Sequence, residues 1–158
     1  MKALQYGVTL LKKYLNMACD KANVKKAYCG KKLKQAAIPN GIIMIANAAF
    51  ANCEKLTSVT IPNTVKVIGN AAFAGCSALT SITIPDSVTS IGSYAFYRCS
   101  SLTSITNLNS VTSIGSYAFY GCTSLTSITI SNSMTSIGNY AFYGCTSLTN
   151  VYYGGTIE

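Results

Sequence analysis

The stretch SVTSIGSYAFYGCTSLTSITI, residues 110–130, returns with few changes as SMTSIGNYAFYGCTSLTNVYY at residues 133–153. The two copies begin 23 residues apart, and the same spacing extends backwards through most of the chain. Self-similarity at a fixed period of this length is typical of repeat proteins, in which each unit buries its apolar side chains against its neighbours. The sequence therefore predicts a solenoid of stacked coils.

Four apolar columns keep this register over five copies, and we expect them to form the core, because a single unit cannot bury them alone. Each column holds one residue type throughout. The columns are Phe50, Phe73, Phe96, Phe119 and Phe142; Cys53, Cys76, Cys99, Cys122 and Cys145; Leu56, Leu79, Leu102, Leu125 and Leu148; and Ile45, Ile68, Ile91, Ile114 and Ile137.

The first part of each unit has the pattern of a short strand. In LTSVTI (56–61), apolar residues alternate with Ser and Thr, so that Val59 and Ile61 face inward. Pro62 follows directly, and proline is tolerated at a strand end, where its missing donor matters least.

The second part predicts a corner and one turn of helix. In SVTSIG (87–92), Ile91 faces inward and Gly92 permits a tight backbone, which favours a corner. In SYAFYRC (93–99), Ala95, Phe96 and Cys99 lie at roughly helical spacing, which favours a single helical turn.

The unit LTSITIPDSVTSIGSYAFYRCSS (79–101) resembles the BspA-like class of leucine-rich repeats, whose pattern is LxxLxLPxxLxxIgxxAFxxCxx. The resemblance covers about residues 33–153 and departs from the pattern in two places: LTSITNLNS (102–110) lacks the proline, and Ser131 replaces it in another copy. It implies an α/β repeat fold, a right-handed solenoid with a parallel β-sheet on one face and short helical turns on the other. It also implies a secreted or surface-exposed protein that acts in adhesion or protein interaction.

The N-terminal segment does not follow the period, so we divide the chain into residues 1–32 and a repeat domain at 33–158. Apolar residues at alternating spacings of four and three predict an amphipathic helix in the first segment, which would cap the solenoid. A tail or a basic binding element is the alternative. The helical positions are Leu4, Val8, Leu11, Leu15, Ala18 and Ala22.

Basic charge is confined to this end of the chain. Residues 1–37 hold nine lysines against the single acid Asp20, whereas residues 38–158 hold three basic and three acidic residues, a net charge of zero. The overall charge of +8 therefore does not describe the repeats, and a nucleic-acid partner is not expected. Attachment of the lysine-rich segment to an anionic surface is an alternative function.

The composition argues against an enzyme, a metal site or a cofactor site. The chain has no histidine, the usual general base at neutral pH, and its four acids are scattered singly. Five of the seven cysteines follow the repeat, which indicates buried thiols rather than a metal centre. Cys19 and Cys29 lie outside the repeat and would pair only in an oxidising compartment, so the cysteines leave the compartment open.

Two surfaces are candidate binding sites. Outward positions of the strands form an uncharged row of hydroxyls. Such a row favours a repetitive partner, low affinity gained from many weak contacts, or no ligand at all. Tyrosines form two columns beside the predicted helical turns; they either shield the neighbouring columns or form a binding stripe. The candidates are Ser58, Thr60, Ser81, Thr83, Ser104, Thr106, Ser127, Thr129 and Tyr152 on the strands, and Tyr94, Tyr97, Tyr117, Tyr120, Tyr140 and Tyr143 in the columns.

These features favour a non-enzymatic module that binds a protein, with extracellular matrix or a host surface protein as the implied partner. A passive spacer within a larger surface protein is the second hypothesis. The strand near the C-terminus, LTNVYYGGTIE (148–158), has no capping sequence after it and so leaves an open edge. We expect this chain to be part of a longer repeat array, and self-association through the open edge is the alternative. No apolar run approaches the roughly 18 residues of a membrane-spanning helix, and no clear signal peptide is present.

Overall fold

A computed structural model describes residues 33–154, which form a parallel β-solenoid of about five turns. Each coil contributes two short strands. The strands are β1 (Gln35–Ala37), β2 (Met44–Ile45), β3 (Ser58–Thr60), β4 (Val67–Ile68), β5 (Ser81–Thr83), β6 (Ser90–Ile91), β7 (Ser104–Thr106), β8 (Ser113–Ile114), β9 (Ser127–Ile130), β10 (Ser136–Ile137) and β11 (Asn150–Tyr153).

The strands form parallel ladders along two sides of the solenoid. The even-numbered strands make one five-stranded sheet in the order β10-β8-β6-β4-β2, and the odd-numbered ones pair as β1-β3, β5-β7 and β9-β11. Equivalent residues of successive coils face each other, as Ser81 faces Ser104. The parallel strands predicted on one face are confirmed. The predicted corner at 87–92 is partly wrong, because it contains the strand β6. The sequence did not predict this strand, because two residues are too few to show an alternating pattern.

The predicted helical turn is wrong, because the described residues contain no helix. Backbone donors after the glycine column instead alternate between two directions. Phe96 donates to the carbonyl of Ala118 in the next coil (2.7 Å), whereas Tyr97 donates to Tyr94 within its own coil (3.0 Å). A helix is prevented because Tyr94 and Arg98 have φ angles of 59° and 55°, in the left-handed region. The predicted capping helix lies outside the described residues.

The predicted core columns are confirmed except at Ile137, which is 45% exposed in the last described coil. Phe73, Phe96 and Phe119 are fully buried, and their rings stack at centroid distances of 5.3 and 5.1 Å. Stacking at this separation adds to the free energy gained from burying the rings themselves. Towards the end of the described chain the cover thins, so that Phe142 is only partly buried.

The buried cysteine column also makes hydrogen bonds between coils, which the sequence did not indicate. Cys99 donates its thiol hydrogen to the carbonyl of Phe73 (3.2 Å), and Cys76 and Cys122 make the same bond to equivalent phenylalanines. The thiols are free at Cys76 and the three equivalent positions that follow it. The predicted thiol at Cys53 is wrong, because the sulfur of this residue is disulfide-bonded. Cys19 and Cys29 lie outside the described residues.

Glycine is required at Gly92, where successive coils approach closely. A Cβ atom at Gly92 would lie 2.7 Å from the backbone nitrogen of Asn70 and 2.5 Å from its side-chain oxygen. That oxygen is itself in use, because it accepts a hydrogen bond from the backbone of Ser93 (2.9 Å). The tight backbone predicted at Gly92 is therefore a contact between coils.

The copy that departs from the pattern at 102–110 keeps its place in the stack. Asn107 adopts a φ angle of 67°, and its side-chain amide donates to the carbonyl of Ile84 in the preceding coil (2.9 Å). Leu108 takes over the buried apolar role. Asparagine tolerates the left-handed region better than most residues, which explains why this coil stays in register without its proline.

Candidate binding surfaces

The predicted hydroxyl residues lie together on the outward side of the odd-numbered strands. Ser58 and Thr60 belong to β3, and the equivalent residues follow in register on β5, β7 and β9, ending at Tyr152 on β11. Thr106 donates to the hydroxyl of Thr83 across 3.1 Å, so part of this row is bonded to itself. The structure brings these residues to one face, and their role in binding stays a prediction.

A neighbouring threonine column has a structural role. Thr103 donates its hydroxyl to the carbonyl of Thr80 (3.0 Å), and Thr126 donates to that of Thr103 (3.3 Å). Thr57 makes the equivalent bond to Lys34 (2.9 Å). The hydroxyl hydrogens of this threonine column are donated to the preceding coil and are therefore not available to a ligand.

The six tyrosines form a grid of two stacked columns, which we call the tyrosine grid. Within the columns, neighbouring ring centroids lie 5.0 to 5.4 Å apart, and within each coil the two rings meet at 5.7 to 5.8 Å. The first column is Tyr94, Tyr117 and Tyr140, and the second is Tyr97, Tyr120 and Tyr143. Stacking covers most ring faces, so the grid presents ring edges and phenol groups to solvent.

Half of the tyrosine grid is well exposed. Tyr94, Tyr140 and Tyr143 have 43%, 57% and 60% of their surface accessible to solvent. Tyr117 is half-buried, and this burial, together with the phenols of Tyr94, Tyr140 and Tyr120, raises the pKa of Tyr117. Like the other phenols of the grid it is uncharged at neutral pH, and it can both donate and accept a hydrogen bond.

The first tyrosine column has an unusual backbone. Tyr94, Tyr117 and Tyr140 have φ angles of 59°, 58° and 57°. A bulky residue at such an angle is an outlier, and the left-handed conformation costs about 1–2 kcal/mol for residues with a Cβ. Stacking of the rings offsets part of this cost, at about 0.5–1.5 kcal/mol for each pair.

Arg98 lies beside the tyrosine grid and was missed by the sequence analysis. Its guanidinium carbon lies 5.2 Å from the centroid of the Tyr97 ring. The equivalent positions in other coils are held by Asn52, Gly75, Gly121 and Gly144, all at positive φ. The sequence does contain a signal for Arg98, because it is the one arginine in a repeat position that otherwise holds glycine or asparagine.

No catalytic or metal-binding arrangement is visible in the part of the chain that the structure describes. Within residues 33–154, His, Cys, Asp and Glu nowhere form a group of three or more suited to a metal ion. Burial raises the pKa of Cys76 to about 12, and raises that of Cys122 as well, which leaves these thiols protonated and weakly nucleophilic. The same residues contain no helix able to span a membrane.

The last described coil exposes positions that are buried one coil earlier. Val151 is 62% exposed, whereas the equivalent Ile128 is 2% exposed, and Ile137 is far more exposed than Ile114. Within the described residues, β10 and β11 each have a strand partner on one side only. This is the edge at which self-association was predicted, and that association stays a prediction.

The repeats match a known family. A family model described as the BspA-type leucine-rich repeat region matches six copies over residues 24–149. No curated protein matches the chain significantly.

Solved structures of leucine-rich repeat proteins share the fold. One from Treponema pallidum is 35% identical with a TM-score of 0.73, over 75% of this chain and 58% of its own. One from Bacteroides ovatus is 34% identical with a TM-score of 0.61, over 77% and 37%. A third, from Eubacterium ventriosum, is 28% identical with a TM-score of 0.72, over 78% and 34%. The chain thus spans less than two thirds of the length of each of these proteins.

Proposed function

Because this chain belongs to the BspA-type leucine-rich repeat family, we propose that it is a non-enzymatic module that binds other proteins through the surface of its solenoid. The family fold offers a long, regular surface held by a rigid core, and the charge-poor repeats favour contacts made by aromatic and hydroxyl groups. Adhesion at the cell surface or outside the cell, to extracellular matrix or a host surface protein, is the setting that the family resemblance supports.

The tyrosine grid is the observation that carries this proposal. Three of its tyrosines occupy left-handed backbone positions at which Ala48 and Ala71 stand in earlier coils. Alanine is accepted there, so the tyrosines are not needed to close the coil. Tyrosine presents a large, rigid and amphipathic surface at little cost in side-chain entropy, and it is enriched at protein interfaces.

The strand face is the weaker candidate, and it supports the spacer hypothesis instead. Its hydroxyl rows repeat with almost no change between coils, and the adjacent threonine column is occupied by bonds between coils. A surface without variation offers a protein partner little to distinguish. If binding fails at the tyrosine grid as well, the repeats act as a spacer.

The test is binding of the full chain to a panel of immobilised extracellular-matrix and cell-surface proteins at low and high salt. Retention at high salt would support a protein-binding module, because neutral contacts are weakly screened. Binding that vanishes at high salt, and also when Lys12, Lys13 and Lys21 are replaced by glutamine, would instead support attachment of the N-terminal segment to anionic surfaces. Absence of binding to every panel member would favour the spacer.

A further inference from the structure

We propose that Arg98 and the tyrosine grid together recognise an aspartate or glutamate side chain within an otherwise uncharged segment of a partner protein. This inference rests on the proposed function and specifies which chemical group of the partner the module selects. It is carried by the backbone of Arg98, by its place beside the Tyr97 ring, and by the lack of an ion pair to Arg98 among residues 33–154.

The backbone of Arg98 has a conformation that favours glycine. Its φ angle of 55° places it in the region that Gly75, Gly121 and Gly144 occupy without strain at the same point of other coils. Nothing in the path of the chain requires a side chain here. A residue held in a sparsely populated conformation, where glycine serves elsewhere, indicates that its side chain is used.

The neighbours of Arg98 leave its guanidinium accessible. The flanking coils carry Gly75 and Gly121 at the equivalent positions, and a Cβ added at Gly121 would lie 3.4 Å from Cγ of Arg98. Arg98 is exposed, and its guanidinium carbon lies 5.2 Å from the centroid of the Tyr97 ring. This contact orients the planar fork while leaving its donors for a carboxylate, which arginine binds through two parallel hydrogen bonds.

The charge around Arg98 favours an acidic group. Among residues 33–154, no carboxylate forms an ion pair with Arg98, and its guanidinium lies over the ring of Tyr97. The tyrosine grid supplies phenols, which are neutral at physiological pH. A carboxylate placed here would find an unpaired cation and phenol donors in one surface.

The number of cations favours a protein segment over a charged polymer. Sulfated polysaccharides and nucleic acids carry charge at every repeat, and proteins bind them with several lysines or arginines along the path. Among residues 33–154, the cation in contact with a ring of the tyrosine grid is Arg98, and the neighbouring coils hold glycine at the equivalent positions. One carboxylate flanked by apolar or polar side chains matches this arrangement.

The experiment is selection of random peptides displayed on phage against the full chain at high salt. It is repeated with Arg98→Gly and with Lys66→Thr. Arg98→Gly installs the residue of the neighbouring coils and keeps every lysine of the N-terminal segment. Lys66→Thr removes a cation elsewhere and installs the threonine found at the equivalent positions 89 and 112. Thermal melting monitored by circular dichroism confirms that each variant is folded.

We expect the wild-type chain and Lys66→Thr to select peptides with a single Asp or Glu next to aromatic or aliphatic residues. Arg98→Gly should select no excess of acidic residues, and the acidic peptides should bind it about tenfold more weakly, as expected for loss of one charge-assisted hydrogen-bonded pair. Arg98→Glu should select Lys or Arg instead.

Three results would overturn the inference. Wild-type peptides that bind Arg98→Gly equally well, with or without acidic enrichment, would remove Arg98 from recognition while leaving the proposed function standing. Displacement of the peptides by dextran sulfate in an Arg98-dependent manner, with no acidic preference among them, would identify an anionic polymer as the ligand. Failure of the wild-type chain to select any peptide, combined with no binding in the protein panel, would remove the proposed function as well.

Discussion

The thiol of Cys99 donates to the backbone carbonyl of Phe73, 26 residues earlier, across 3.2 Å. The same carbonyl also accepts from the backbone of Cys76 within its own coil (3.1 Å). Each free cysteine of the column, from Cys76 to Cys145, thus occupies core volume and donates its thiol hydrogen to the preceding coil. Cysteine suits this position because it is small and apolar, yet carries a weak donor that valine or alanine would lack.

Burial of these thiols predicts a loss of stability in alkali. The pKa of Cys76 is raised from 9.0 to about 12 in the folded chain, so above pH 9 the unfolded state loses protons that the folded state retains. The free energy of unfolding should therefore fall as pH rises above 9, by up to about 1.4 kcal/mol per pH unit for each buried thiol.

Urea unfolding between about pH 8 and about pH 10, where free thiols begin to ionise, measures this slope. Cys76→Ala serves as the control, because it should reduce the slope by one thiol while lowering stability at every pH. A free energy of unfolding that stays constant over this range would contradict the burial of the cysteine column.

The phenylalanine column predicts a position-dependent cost of truncation. Phe96 is fully buried between the rings of Phe73 and Phe119, so Phe96→Ala should lower the free energy of unfolding by about 3–5 kcal/mol. Phe142 is only partly buried, and Phe142→Ala should cost clearly less. Denaturant unfolding of both variants tests this, and a cost below about 1 kcal/mol for Phe96→Ala would show that the column is not core.

The glycine column predicts that a single methyl group disrupts the contact between coils. Gly92→Ala would place Cβ 2.7 Å from the backbone of Asn70, so we expect a loss of about 2–4 kcal/mol. At Gly154 the nearest atom would be 3.4 Å away, and Gly154→Ala should cost about 0.5 kcal/mol or less. Equal melting temperatures for the two variants would contradict the close approach of the coils at Gly92.

The strained backbone of Arg98 predicts that its removal does not weaken the fold. Arg98→Gly relieves the left-handed conformation, worth about 1 kcal/mol, and loses an exposed cation–π contact worth about 0.5–1 kcal/mol. The free energy of unfolding should therefore stay the same or rise by up to about 0.5 kcal/mol. Gly121→Ala, in the same column, should lower it by about 1 kcal/mol. A clear loss of stability in Arg98→Gly would assign Arg98 a structural role.

The repeat period was enough to predict the solenoid and its core. Residues at equivalent positions, such as Phe96 and Phe119, must stack once the coils are parallel, whatever the local conformation. The backbone between them was harder to predict. The residues at 93–99 have helical spacing, but every second backbone donor bonds to the next coil, as Phe96 does to Ala118. The sequence of a single repeat does not indicate such a bond between coils.

For the candidate surfaces too, the repeat period predicted which residues align, but not their backbone conformation or their hydrogen bonds. The sequence located the tyrosine columns, because their spacing is the period itself, but it did not indicate their left-handed backbone, which alanine shares at Ala48. It could not separate the hydroxyls of Thr103, which bond to the preceding coil, from those of Ser104, since both residue types are ordinary on an outward strand. The sequence analysis did not identify Arg98 as a candidate, because it occurs in one repeat only and therefore forms no column.

The central claim is that the tyrosine grid, and not the strand face, binds the partner. Two triple variants of the full chain test it with the panel protein that binds most tightly. One carries Tyr97→Ala, Tyr120→Ala and Tyr143→Ala, which install the residue found at the equivalent positions 51 and 74. The other, the matched control, carries Thr83→Ala, Thr106→Ala and Thr129→Ala on the strand face.

Calorimetric titration of both variants gives their dissociation constants. We predict that the tyrosine variant binds at least about tenfold more weakly, as expected from the loss of interface aromatic side chains, while the threonine variant stays within about twofold of the wild-type chain. A threonine variant that loses binding while the tyrosine variant retains it would contradict the account and place recognition on the strand face.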